Sequence, residues 1–281
     1  MIPHPEILAW KEIADWPLDE QVEQDLIISA ALVKMFSYPP LKGKLAFRGG
    51  TALNKLIFPK PLRYSEDIDM NRLENSEAGP ILDAIRESLK DLFPNIKPKS
   101  KRTKLSIKLI YSYPSTIDGG TRNLKIEINV RETIPQKPLE QFPFAVTSNF
   151  FSGSATIISF NREEMIGTKI RALYQRSKGR DLFDLFELSK LDFNWDNIVD
   201  SFLKLENIDV TGKDFEKDFE KNLTEKIQNK SFLEDTISLL PKSLSYNPFE
   251  PTIGFLGKLY LECQNMVGYE INSVNLRTKP F

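Results

Sequence analysis

Ser65-Glu66-Asp67-Ile68-Asp69-Met70 carries two carboxylates on alternate residues. On an extended strand alternate side chains share a face, so Asp67 and Asp69 project together while Ile68 and Met70 turn into a core. Neighbouring carboxylates repel unless a cation neutralises them, and Mg²⁺ or Mn²⁺ does so through oxygen ligands while keeping places for substrate phosphates. Glu66 points the other way. The competing account is a solvated strand edge, because Asp-x-Asp alone is common. Leu124-Lys125-Ile126-Glu127-Ile128-Asn129-Val130 alternates as cleanly, with Lys125, Glu127 and Asn129 on its polar face. Beside the Asp67/Asp69 strand, Glu127 becomes the third carboxylate of a metal site. The alternative is that Lys125 and Glu127 only form salt bridges.

Phe47-Arg48-Gly49-Gly50-Thr51 sets two glycines between a short strand and a short helix. Glycine permits positive φ and close approach of backbone to a ligand, and the free N–H groups of a helix start favour an anion such as a triphosphate. Thr51 either binds phosphate or caps the helix of a plain loop. The return through Pro59–Arg63 leads straight to Asp67, which brings the glycine bend beside the acids.

Histidine narrows the chemistry: His4 is the single one in 281 residues. A histidine triad, a His-rich zinc site and a Cys/His pair are therefore excluded as expectations. Cys263 is the single cysteine, which fits a reducing compartment.

The elements that must position these groups are legible in outline. Residues 5–37 read as helical, ended by Tyr38-Pro39-Pro40. Lys44–Arg48 and Tyr64–Met70 read as strands and Thr51–Ile57 as a short helix between them. Glu77–Leu92 is amphipathic. Leu105–Tyr111 and Leu124–Val130 form an expected hairpin about Asp118-Gly119-Gly120. Residues 155–160 add a short strand. From Arg162 to about residue 240 the pattern is helix after helix, and Ile253–Val267 is a further expected helix. The reading is α+β, with a domain at 1–192 and a mainly helical one at 193–281.

Within the helical part, Lys169 and Arg176 share a face two turns apart and suit a triphosphate or a nucleic-acid backbone. Asp181 and Asp184 follow on the next helix. Asp181 caps it or holds Lys169 or Arg176 in a buried ion pair, and a structural role is expected for both acids. The basic run Lys97, Lys99, Lys101, Arg102, Lys104 and Lys108 tracks an RNA backbone or forms a solvated loop.

Taken together, Gly49-Gly50-Thr51-Ala52-Leu53-x-Lys55, Arg63-x-Ser65-Glu66-Asp67-Ile68-Asp69 and Lys169-x-x-Ala172-Leu173-x-x-Arg176-x-Lys178-x-Arg180-Asp181-Leu182-x-Asp184-Leu185 resemble the AbiEii/AbiGii toxin family of nucleotidyltransferases. The resemblance implies a DNA-polymerase-β-like nucleotidyltransferase core, a mixed sheet with flanking helices, followed by a helical C-terminal part. It implies a toxin of a toxin–antitoxin or abortive-infection system that uses an NTP and Mg²⁺. It assigns Asp67 and Asp69 to the metal, Glu127 to the third carboxylate, and Gly49, Gly50, Thr51 and Ser65 to the triphosphate. Lys55, Arg63, Lys169 and Arg176 join the triphosphate contacts on the same ground. The implied acceptor is RNA, with tRNA ends among the candidates, and the implied partner a cognate antitoxin. Transfer to a protein or small molecule, and a non-catalytic nucleotide-binding or partner-binding module, are the rival readings.

The bulk properties are those of a globular protein, 41% hydrophobic and 27% charged. No apolar run reaches the length of a membrane span. Met1-Ile2-Pro3-His4-Pro5 lacks the pattern of a signal peptide. A cytoplasmic protein is expected.

Overall fold

The alternating segments become neighbours in one mixed sheet of the computed structural model, which describes residues 2–74, 77–130, 134–206, 213–250 and 254–267. Its strands are β1 (Leu45–Arg48), β2 (Asp67–Arg72), β3 (Lys99–Arg102), β4 (Ser106–Pro114), β5 (Thr121–Asn129), β6 (Glu140–Thr147) and β7 (Ser152–Ser159). They lie in the order β3-β4-β5-β2-β1-β7-β6. β2 runs antiparallel to β1 and parallel to β5, and β1 runs parallel to β7.

Alternation gives this sheet two unlike faces. Phe47, Met70, Ile128 and Ile107 follow one another across β1, β2, β5 and β4, all buried. Helix α2 (Asp19–Ser37) packs against β6 and β7 and against α4 (Ala78–Leu89), and α1 (His4–Trp10) lies on α2. Ile81, Ile85 and Leu89 form the inward stripe of α4, and Phe93 beyond it stacks on Tyr111 of β4 with ring centroids 4.7 Å apart. Each such side chain contributes roughly 1.5–3 kcal/mol by leaving water. The opposite face carries Arg48, Asp67, Asp69, Lys125, Glu127, Ser106 and Lys108 on alternate positions.

Several elements depart from the sequence reading for identifiable reasons. The expected helix over 5–37 is two helices, separated about Pro17, which cannot donate an amide and keeps its predecessor out of helical geometry. Helix α3 (Gly49–Ala52) starts at the glycines themselves and continues into a π turn, Leu53–Ile57. β2 begins at Asp67, because Tyr64 is already engaged through its amide with the Leu239 carbonyl at 2.8 Å. The basic run is loop only in part: Lys99–Arg102 forms β3, an edge strand exposed throughout, and Lys108 lies in β4, while Lys97 and Lys104 lie between elements. β6 gave no sequence signal, since Pro143 interrupts it, and an edge strand tolerates proline.

The helical remainder comprises α5 (Arg162–Gln175), α6 (Gly179–Leu188), α7 (Trp195–Glu206), α8 (Lys213–Ile227), α9 (Lys230–Glu234) and α10 (Leu256–Val267). Ile253, expected to open the last helix, lies outside the described residues. The chain divides into two compact units: Met1–Met165 with Thr236–Tyr246, and Ile166–Asp235 with the chain from Asn247 onward. The compact units thus do not follow a single cut in the sequence. In the second, α10 packs on α7 and α8, with Cys263 fully buried.

Candidate active site

The carboxylates meet because β2 and β5 run side by side in parallel. Asp69 pairs in register with Glu127, and Asp67 with Lys125. Equal pairing in a parallel ladder keeps alternate side chains on a common face, so Asp67, Asp69 and Glu127 share one surface. Extending the register gives a transverse charged row: Lys108 of β4, Glu127, Asp69 and Arg48 of β1. The row lines a cleft of about 710 Å³ together with Thr103, Lys104, Ser106 and Asn129.

Electrostatics within the row are uneven. Burial and the neighbouring carboxylates Asp67 and Glu127 raise the pKa of Asp69, although Arg48 and Lys125 pull the other way. Burial also works against the charge on Glu127, but hydrogen bonds from Ser106 (2.7 Å) and Lys108 (3.0 Å to the other oxygen) outweigh it and lower that pKa. Lys125 Nζ lies 2.5 Å from Asp67 Oδ2 and 3.9 Å from Glu127 Oε2. Among the described residues, no three His, Cys, Asp or Glu side chains gather closely enough to hold a metal ion in this conformation. The lysines draw Asp67 and Glu127 toward themselves. The donor set nonetheless fits a hard divalent ion in kind: it is all carboxylate oxygen, and Asp69 carries charge that its surroundings under-compensate.

The glycine bend closes the end of β1 against these acids. Gly49 has φ +82°, and a Cβ there would run into Asp69 Oδ2. A Cβ on Gly50 would meet Arg63 Nη2 at 2.5 Å. The two glycines therefore bring bare backbone into contact with the Asp69 carboxylate and the Arg63 guanidinium. Beneath the bend, Thr51 Oγ1 donates to the Asp67 carbonyl at 2.5 Å and lies 2.8 Å from Ser65 Oγ. Asn54 ties the return by donating to the Gly50 carbonyl and accepting from the Leu62 amide, each at 3.0 Å.

The residues singled out in the sequence thus separate into groups. Asp67, Asp69, Glu127, Gly49 and Gly50 come together, with Ser65 adjoining. Thr51 is buried and engaged in the support of that bend. Arg63 is buried beside Gly50, its Nη1 donating to the Tyr64 carbonyl at 3.0 Å. Lys55 points to α2: its ammonium holds Asp25 at 2.6 Å and Ser29 at 3.0 Å. Lys169, Arg176, Asp181 and Asp184 form an ion cluster within the second unit. Lys169 Nζ lies 3.0 Å from an oxygen of each aspartate, and Arg176 bonds Asp181 at 2.7 and 2.9 Å. Arg48, Ser106, Lys108 and Lys125 complete the carboxylate surface and were not read as site residues. Lys108 figured only in the basic run, and Lys125 only as a salt-bridge partner. Alternation places each on its strand's polar face, but only the cross-strand register reveals which acid each one meets.

Solved structures share this architecture. The MenT4 nucleotidyltransferase toxin of Mycobacterium tuberculosis superposes with a TM-score of 0.59 at 14% identity, covering 96% of this chain and 91% of that one. JHP933 of Helicobacter pylori gives a TM-score of 0.51 at 19% identity, covering 89% of this chain and 91% of that one. A putative nucleotidyltransferase of H. pylori gives 0.50 at 20% identity, covering 89% and 94%. At such identities the likeness establishes the fold, that of nucleotidyltransferase toxins. No curated protein matches in sequence. No helix among the described residues is long and apolar enough to cross a membrane. Residues 30–251 match the family described as nucleotidyl transferase AbiEii toxin, type IV toxin–antitoxin system, and the chain belongs to that family of nucleotidyltransferases.

Proposed function

We propose that this nucleotidyltransferase moves an NMP unit from an NTP to an RNA acceptor, tRNA ends among them, with Mg²⁺ or Mn²⁺ held by Asp67, Asp69 and Glu127. The carrying observation is the in-register pairing of Asp69 with Glu127 under the Gly49 turn. When bound, the divalent ion would supply Lewis-acid stabilisation of charge on the transferring phosphoryl group. The chain's own groups do the rest. Bare backbone at Gly49-Gly50 receives the triphosphate, Ser65 lies beside it, and Thr51 and Arg63 keep the bend in shape. Arg48 and Lys108 flank the carboxylates and balance negative charge that gathers as the acceptor hydroxyl attacks the α-phosphorus in line and pyrophosphate leaves. Glu127 accepts the proton of the attacking hydroxyl or helps to bind the ion.

RNA is favoured as acceptor by the cations beside the cleft. Lys104 and Lys108 line it, and the exposed Lys99, Lys101 and Arg102 of β3 follow in the adjoining strand. A cognate antitoxin and a cytoplasmic site of action accompany the family assignment.

Incubation with each α-labelled NTP, Mg²⁺ and total RNA tests the reading. Label on RNA is the expected result. Label on protein or on a small molecule instead would remove the RNA acceptor, and no transfer to any acceptor would remove the reaction.

A further inference from the structure

We propose that Lys125 is a tethered counter-ion that occupies the cation position between Asp67 and Glu127 and yields it when a divalent ion binds. The inference rests on the metal-site reading above. Parallel register sets Lys125 opposite Asp67, and alternation sets it on the face of Glu127. Its ammonium lies 2.5 Å from Asp67 Oδ2 and 3.9 Å from Glu127 Oε2, so one positive charge already lies between carboxylates of two strands. A divalent ion bound by the same oxygens would meet that ammonium at contact distance, where like charges repel strongly.

The carboxylates differ in what they lose when Lys125 leaves. Glu127 keeps Lys108 at 3.0 Å and the Ser106 hydroxyl at 2.7 Å. Among the described residues Lys125 is the ion-pair partner of Asp67 Oδ2, so the Asp67 contact is the exchangeable one. Lysine suits such an exchange. Its charge rides on a flexible four-carbon stem and can swing aside while β5 stays fixed. Lys125 is thus a positioning residue that keeps the acids together before the ion arrives.

The test is Mn²⁺ binding to the full chain without nucleotide, followed by the electron paramagnetic resonance of free Mn²⁺. Lys125→Met keeps the stem and removes the competitor, and its Mn²⁺ affinity should rise roughly tenfold. Lys125→Arg retains a competing charge and should stay near the native value. A lysine with only a structural role predicts unchanged or weaker binding in Lys125→Met, and that result overturns the proposal. A second measurement needs no variant: Mn²⁺ should increase the rate at which Lys125 is reductively methylated in the native chain, read by peptide mass spectrometry. An unchanged rate also overturns it. Asp69→Ala distinguishes the two layers. Lost Mn²⁺ binding there, with native affinity in Lys125→Met, removes the role of Lys125 alone. Native binding in Asp69→Ala removes the metal site itself.

Discussion

At the scale of single residues, Asp69 should trade stability for activity. Its carboxylate is part-buried between two like charges, and its raised pKa means that the fold resists its ionised form. Asp69→Ala should therefore lower NMP transfer by on the order of a hundredfold or more, since even partners of metal ligands cost 10–100-fold. The metal-free unfolding midpoint should hold or rise; a steep fall in a thermal melt would make Asp69 a structural group. Gly49→Ala supplies a second residue-level test, with Gly43→Ala as control. Both positions have positive φ, +82° and +72°, and both substitutions should cost about 1–2 kcal/mol of strain. Only Gly49→Ala also pushes on Asp69, so only it should abolish transfer. The acids were legible in sequence because strand period fixes the face on which Asp67, Asp69 and Glu127 stand. Their cations were not. Nothing local to Lys55 announces that Asp25, on a distant helix, will hold it, and the Arg48–Asp69 and Lys108–Glu127 pairings exist only after strands remote in sequence have found their register.

Elements raise a different question, namely what fixes the glycine bend against β2. Thr51 bridges the two through the Asp67 carbonyl and Ser65 Oγ. Thr51→Val keeps the shape but leaves buried polar atoms without that partner, which should cost about 1–3 kcal/mol of unfolding free energy in urea titration. A cost near zero would show that the bend is held by its backbone alone. Elements with strong periodicity were readable: β2, β4, β5 and α4 each carry a clear apolar face. Those without it were read in part or not at all. β6 contains Pro143 and gave no signal, and β7, expected only over residues 155–160, opens with Ser152-Gly153-Ser154, whose small polar side chains give no alternation. Both lie at or next to the sheet's far edge, where burial is one-sided and the sequence is less constrained.

For the molecule as a whole, two units imply two stabilities. The second is pinned by Lys169, buried between Asp181 and Asp184. Lys169→Met takes the shared cation away from two buried carboxylates and should cost about 3–5 kcal/mol. A variant that unfolds normally but loses NTP binding would instead assign Lys169 to the triphosphate. Acid should act at the same place. Burial alone would raise the Asp181 pKa, but Lys169 and Arg176 hold it well below the usual carboxylate range. A carboxylate with a depressed pKa lends stability above its unfolded value, about 3.9, and loses it as pH falls further. Circular dichroism below about pH 4 should therefore show helix lost, and Asp181→Asn should blunt that dependence. Near neutral pH, Cys263 provides a means of watching the same helices. The sole thiol in the chain is shut inside α10, and burial pushes its pKa up, so it is inert while the helices around it stay closed. A chromogenic disulfide reagent added to the native protein then becomes a clock for the helical half alone. Its reaction rate times the loosening of the helices around it.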